Sequence, residues 1–358
     1  MKSVMKTLGL CFIVFGLILA FSGSGLASEQ KAMTLKFAKP GPPTGARNVM
    51  DKWFADEITK RTNGKIKFEI FWSGTLLDSR GVLKGVGRGV ADIGEGSGLF
   101  AANEYPTWAA LNVVGTSDDE WVIQRASYDA VINNPDIMAE FDRNNLVPTV
   151  GYCPGAVVFC FKKKCTTMDD MKGLRFRSVG KTFPVIVKEL GMVPVGMPLY
   201  DVYDSLDKGV IDGTFAAIQY AYNLKWGEVA PFFSEIKKSK DTAPSTLVFN
   251  KKVWNSFTDE TRKIINDVIH EYNDLYGKAL IEEDKKARED LKAQGVTFSY
   301  FSPEAEKNYL KGGRMAAESW WSEWDAKGLH TKAAFDKFME YVEKYEKELK
   351  EKGYPWQR

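Results

Sequence analysis

The stretch 168–223 constrains the fold more than any other part of this chain. It opens with Asp169-Asp170, then Lys172-Gly173 and a short alternating strand over residues 174–177. A helical run follows and stops at Gly191. Residues 193–195 read as a second strand, and Pro198 leads into a helix over residues 200–208. Gly209-Val210-Ile211-Asp212-Gly213 then enters a third strand. Strand, helix, strand, helix, strand in this order is the rhythm of a parallel α/β unit. Ligands of such open sheets bind beyond the carboxyl ends of the strands, and Arg177 stands at one of those ends.

The N-terminal part starts the same way. Residues 33–38 form a strand that Lys39-Pro40-Gly41-Pro42-Pro43 stops, with Thr44 placed to cap a helix running to residue 62. Val49, Trp53, Phe54 and Ile58 would face inward, and residues 66–71 alternate as the next strand. Asp78 is placed to cap a helix to residue 88. Gly89-Val90-Ala91-Asp92 enters a further strand, followed by Glu95-Gly96-Ser97-Gly98. The glycines there lack the Gly-Lys-Ser/Thr of a phosphate loop, so they are read as close backbone approach or a tight turn. Glu95 reads as a pocket-lining residue or, preferably, as a solvated carboxylate, and the proline-rich loop as apolar and rigid. Residues 103–145 read as helical, with Trp108 and Trp121 in the core or at its rim, and 147–150 as a strand. Residues 151–161 read as one long strand passing between domains, and 246–250 as another. Thr258 and Thr261 give a partial capping box before a helix carrying Val268, Tyr272 and Leu275. Residues 296–300 form a strand, and Ser302-Pro303 starts a helix whose Trp320, Trp321 and Trp324 read as core. The last helix, residues 333–351, is charged on one face and solvated.

The first residues pair Lys2 and Lys6 with an apolar run from Leu8 to Phe21 and end in small residues, Gly25 and Ala27. This is the pattern of a secretory leader cleaved near Ala27, giving a leader over residues 1–27 and an exported, periplasmic chain. The apolar run is short beside the about 20 residues a membrane span needs. Cys11, which follows Leu10, is a poor lipidation cysteine. Among Cys153, Cys160 and Cys165 an oxidising compartment permits one disulfide, and three buried or free thiols are equally compatible. The only histidines, His270 and His330, complete no zinc pattern, so no metal and no cofactor are expected. Nothing reads as a basic nucleic-acid stripe, since the net charge is +2. With no Gly-x-Ser-x-Gly and no His-Glu-x-x-His, the expectation is a protein that is not an enzyme. An exported hydrolase is the remote alternative.

The motifs in this order resemble those of the extracytoplasmic solute receptors of TRAP transporters, the DctP type. Gly173-Leu174-Arg175-Phe176-Arg177 matches the family's Gly-Leu-Lys-x-Arg strand, and Gly209 to Gly213 its Gly-x-x-Asp-Gly. The resemblance covers nearly the whole chain after the leader. It implies an α/β, two-domain periplasmic binding protein-like fold with an inter-domain ligand cleft and long C-terminal helices, one of them bracing both domains. The expected borders are residues 31–150 with about 240–275 for the first domain, and 151–239 with part of 276–330 for the second. Residues 331–358 form a C-terminal helix. The resemblance also implies capture of an organic-acid anion and its delivery to small and large TRAP membrane subunits.

In that family the strand arginine pairs with the ligand carboxylate, a role that falls here to Arg177. On residue chemistry alone, Arg177 could equally be a surface arginine paired with Asp169, Asp170 or Glu189. Arg175, two residues back, points to the other face of the strand. Many relatives carry a second arginine near the position of Ala156, and others a Glu and an Asn near Phe215 and Ala216. This chain has neither. A second carboxylate would then lack a partner, so the ligand is read as a monocarboxylate with an apolar or aromatic body. Phe215, Leu199, Tyr200 and Tyr220 are the candidates to contact that body, and Ser97, Ala156, Ala216 and Gln219 complete the expected lining. The alternatives are a C4-dicarboxylate or sugar-acid receptor, or a binding protein serving an ABC transporter or a sensor kinase.

Overall fold

The computed structural model describes residues 29–240 and 244–358. The leader, with Cys11 and Ala27, lies outside the described residues.

Two sheets organise the chain. The first is built from β1 (Met33–Ala38), β2 (Ile66–Phe71), β3 (Ile93–Ser97), β4 (Leu146–Pro148) and β10 (Ser245–Asn250), in the order β2-β1-β3-β10-β4. β1 pairs in parallel with β2 and β3, and β10 returns antiparallel between β3 and β4. The second sheet contains β5 (Ala156–Phe161), β6 (Arg175–Ser178), β7 (Val193–Gly196), β8 (Gly213–Ala217), β9 (Phe232–Lys240) and β11 (Thr297–Tyr300), in the order β11-β9-β5-β8-β6-β7. Here β7, β6 and β8 run parallel, as the crossovers in 168–223 require.

Helices cover both sheets. In the first lobe these are α1 (Gly45–Arg61), α2 (Val82–Gly87), α3 (Pro106–Ala109), α4 (Glu120–Ile132) and α5 (Pro135–Arg143). In the second they are α6 (Met168–Met171), α7 (Thr182–Glu189), α8 (Val202–Asp207) and α9 (Ile218–Asn223). After α10 (Lys251–Ser256), three long helices close the structure: α11 (Asp259–Ala293), α12 (Pro303–Asp325) and α13 (Thr331–Lys352). The long helix that braces both lobes is α11. α11 packs on α1 and α4 of the first lobe and on α9 of the second. α13 seats Phe338, Val342 and Tyr345 in the first lobe's core, against α4. α12 lies on α7 so closely that a Cβ added at Gly312 would meet the Ile186 Cα at 2.8 Å.

Several local expectations change. The Thr44 side chain makes no capping bond, and Asp78 caps the turn before α2 by accepting from the Gly81 N–H at 2.7 Å. Phe54 and Ile58 are buried as expected, but Val49 is exposed, and Met50 and Asp51 join the buried stripe of α1. Residues 151–155 are irregular, and the strand between lobes begins only at Ala156. Gly155 holds φ +94°, a left-handed geometry that a side chain would strain. The helical run expected over 103–145 is three helices separated by loops. Trp321 is buried while Trp320 and Trp324 are only half-buried. Cys153, Cys160 and Cys165 are all buried, and no disulfide links them.

Candidate functional site

Arg177 lies on β6 near its carboxyl end. The parallel register sets Phe176 opposite Gly213, so Arg177 shares a sheet face with Thr214 and Ala216, and Phe215 takes the other face. The guanidinium is buried, with 5 % of the residue exposed. Its Nη1 donates to the Phe215 carbonyl at 3.1 Å and its Nε to the Met197 carbonyl at 3.3 Å, and it sits 5.5 Å from the Phe215 ring centre. Among the described residues no carboxylate lies within ion-pair distance of it. Burial alone pushes its pKa down to about 10. The surface pairing with Asp169, Asp170 or Glu189 does not occur. Asp170 forms a capping box with Thr167, and Glu189 pairs with Lys311 at 2.7 Å. Arg175 is exposed and bonded to Asp212.

The other sequence-derived residues spread over both lobes. Phe215 is buried and stacks on Phe183 at 3.6 Å. Ala216 and Ala156 are buried in one apolar cluster with Val158 and Trp226, and Leu199 and Tyr220 pack against it. Gln219 is buried, and its Nε2 donates to the Pro154 carbonyl at 2.7 Å. Tyr200 is half exposed, 49 %. Ser97, at the end of β3 in the first lobe, gives its hydroxyl to the Pro244 carbonyl at 3.2 Å. A cleft between the lobes is bordered by Gly98 and Leu99 on one side, Gly180 and Thr182 on the other, and Trp320 and Trp321 of α12. Arg177 is not part of that border.

Sequence reasoning missed a charged network on the first lobe. Lys39, fully buried, ion-pairs with both Asp51 and Glu95. Asp51 Oδ1 also accepts the hydroxyls of Tyr152 at 2.5 Å and Tyr272 at 2.7 Å. Glu95 accepts Arg47 Nη1 at 2.9 Å, and the Arg47 guanidinium lies 4.4 Å from the Tyr152 ring centre. Glu95 is therefore not a solvated carboxylate. Burial works to raise its pKa, but Lys39 and Arg47 outweigh burial and hold it down at about 2. Burial likewise opposes the charge on Lys39, and Asp51 with Glu95 raise its pKa above the usual lysine range. A signal for this network was present. Asp51 falls on the apolar stripe of α1, four residues after Arg47 and three before Phe54, where a lone charge must find a partner.

Among the described residues no helix is long and apolar enough to cross a membrane, and no cluster of His, Cys, Asp or Glu could hold a metal. The family model for the bacterial extracellular solute-binding proteins, family 7 (DctP), matches residues 46–321. The 2,3-diketo-L-gulonate-binding periplasmic protein of Escherichia coli is 25% identical over 280 residues, covering 77% of this chain and 83% of that protein. A TRAP solute-binding protein of Rhodoferax ferrireducens in complex with copurified benzoate superposes with a TM-score of 0.79 at 23% identity, over 88% of this chain and 99% of that one. A marine metagenome TRAP solute-binding protein specific for aromatic acid ligands, in complex with 3-hydroxybenzoate, gives 0.79 at 21% identity over 88% and 99%.

Proposed function

The chain belongs to the DctP family of bacterial extracellular solute-binding proteins, the solute receptors of TRAP transporters, and on that premise we propose that it captures a monocarboxylate through Arg177. One observation carries the reading: a permanently charged guanidinium is buried against two backbone carbonyls, with no carboxylate partner among the described residues. A buried arginine left so is costly, and an anionic ligand is the group that completes it. The planar fork suits a carboxylate, which accepts two parallel N–H bonds.

The surroundings support a body that is apolar or aromatic. The Phe215 ring, whose centre lies 5.5 Å from the guanidinium, stacks on Phe183 and Phe176, and Ala156 and Ala216 offer no second charge on this lobe. The relatives' ligands fit the same chemistry, since benzoate, 3-hydroxybenzoate and diketogulonate each carry one carboxylate. In the proposed division, residues 31–150 with about 240–275 act as one lobe and 151–239 with part of 276–330 as the other. They close on the anion and exclude water from its pair with Arg177. The loaded receptor then docks on the TRAP membrane subunits outside the cytoplasmic membrane.

The test is a thermal-shift panel of organic acids on residues 28–358, repeated on Arg177→Ala. A ligand at 100 times its Kd adds about 2.7 kcal/mol of stability. Aromatic or branched monocarboxylates should stabilise the wild type and not the variant. A preference for C4-dicarboxylates would refute the monocarboxylate reading, and a ligand response that survives in the variant would refute the role of Arg177.

A further inference from the structure

The Lys39–Asp51–Glu95–Arg47 network has one closed end and one open end. At the closed end, Asp51 is saturated by Lys39, Tyr152 and Tyr272. At the other, Arg47 gives Nη1 to Glu95, and its Nε is buried with no hydrogen-bond partner among the described residues. Both Arg47 and Glu95 keep 14 % of their side-chain surface accessible. The network's four charges, two positive and two negative, sum to zero.

This end faces the Arg177 lobe. Glu283 of α11 accepts the Ala46 N–H at 2.8 Å and Asn223 Nδ2 at 3.2 Å, which clamps the start of α1 to the end of α9. Arg47 adjoins Ala46, and Tyr220 lies one turn before Asn223. Tyr200 follows Met197, whose carbonyl accepts Arg177 Nε, by three residues. The Tyr200 phenol is hemmed in despite the residue's exposed flank. Burial first, then Tyr220 and Glu95, raise its pKa above the usual phenol range. Tyr220 packs with Leu199 and Met197 against the cluster of Ala156 and Ala216, on the Arg177 lobe.

We propose that Arg47 and Glu95 form a second recognition point that binds a hydroxyl at the far end of a monocarboxylate held by Arg177. This rests on the Arg177 reading above. A hydroxyl accepts from Arg47 Nε and donates to Glu95, and so satisfies both groups at once. A hydrocarbon end leaves the buried Nε unpaired. A second carboxylate meets ionised Glu95 across a wall with no net positive charge to offset it. A site built around a hydrogen bond discriminates strongly against the analogue that lacks it. The recognised class is therefore a hydroxylated monocarboxylate.

Isothermal titration of residues 28–358 tests this with benzoate and phenylacetate, their 3- and 4-hydroxy derivatives, and the matching dicarboxylates. At least one hydroxy acid should bind the wild type roughly tenfold or more tightly than its parent, with the dicarboxylates weakest. Arg47→Lys keeps the charge beside Glu95 but removes Nε, and should bring that ratio below about threefold. Glu95→Gln should improve the dicarboxylates relative to their parents. The wild-type series is decisive even if a variant folds poorly: hydroxy and parent acids bound within about threefold of each other overturn the proposal. If no acid binds, or if Arg177→Ala still binds them, the Arg177 reading falls and this one with it. If the acids bind through Arg177 with no gain from the hydroxyl, only the second recognition point falls.

Discussion

Replacing Arg177 with Met separates a binding arginine from a structural one, because the two roles predict opposite effects on the ligand-free protein. Burial holds the guanidinium pKa at about 10, below its ordinary range. At 1.36 kcal/mol per unit, that corresponds to roughly 3 kcal/mol of destabilisation by the buried charge. Against it stand two hydrogen bonds, at 3.1 and 3.3 Å, to the carbonyls of Phe215 and Met197. Both are long, so their sum lies at the low end of charge-assisted bonds, about 1–3 kcal/mol together. Met retains most of the packing of the arginine stem. The ligand-free variant should therefore be as stable as the wild type or up to about 2 kcal/mol more stable. Unfolding entropy near 2.1 cal/mol/K per residue over about 330 residues converts this to a rise of roughly 0–3 °C in Tm. A structural buried ion pair would instead lose about 3–5 kcal/mol, a fall of several degrees. The assay is differential scanning calorimetry with and without a bound monocarboxylate, which should raise the wild type by about 4 °C at 100 times its Kd and the variant not at all. The pH dependence has a definite sign. The folded pKa is the lower one, so the penalty is constant below about pH 10 and is relieved as pH rises from there towards the unfolded value. Wild-type stability should gain over that alkaline window and the variant should not. A ligand-free variant melting several degrees below the wild type, or one still stabilised by carboxylates, would refute the reasoning.

Lys39→Met should cost about 3–5 kcal/mol, because it leaves Asp51 and Glu95 buried without their shared cation. Urea midpoints measure this, and Lys327→Ala, which breaks an exposed pair with Glu323, should change stability by less than about 1 kcal/mol. Glu95, held at about 2, contributes stability that is complete above the ordinary carboxylate range and lost as pH falls through its folded value. Tm followed from pH 5 to pH 2 should show an acid limb worth at most roughly 3 kcal/mol, and Glu95→Gln should flatten it. Gly312→Ala should cost about 1–3 kcal/mol by forcing α12 off the Ile186 backbone, read again from urea midpoints; an unchanged midpoint would mean that the two helices yield freely.

The β–α–β rhythm around Arg177 was legible because glycines or prolines punctuate it, at Gly173, Gly180, Gly191, Gly196, Pro198, Gly209 and Gly213, and each helix carries an apolar stripe. β9 was missed. Its residues, Phe232 to Lys240, mix phenylalanines with lysines and serine, and it becomes a strand only by pairing with β5 and β11. Local pattern carries little of that information. Residues 151–155 were read as strand from their apolar content, but a left-handed Gly155 and the bond from Gln219 to the Pro154 carbonyl turn them into a joint between lobes.

The candidate site divides along the same line. Pattern alone placed Arg177 at a strand's carboxyl end, but its reading as a ligand partner came from the resemblance to the receptor family, since residue chemistry left a surface ion pair open. Lys39, Asp51 and Glu95 stand 12 and 44 residues apart in the chain, and no periodicity links a loop, a helix and a strand. Only the packing of α1 against the first sheet brings them together. The two charged features then differ physically. The first-lobe network neutralises itself, and removing one member leaves its partners stranded. Arg177 has no such partner among the described residues, and under the proposed function the countercharge comes from the ligand. On the two proposals taken together, the uncompensated charge of Arg177 calls for an anion at one end of the ligand, and the self-neutral Arg47–Glu95 pair for a neutral polar group at the other.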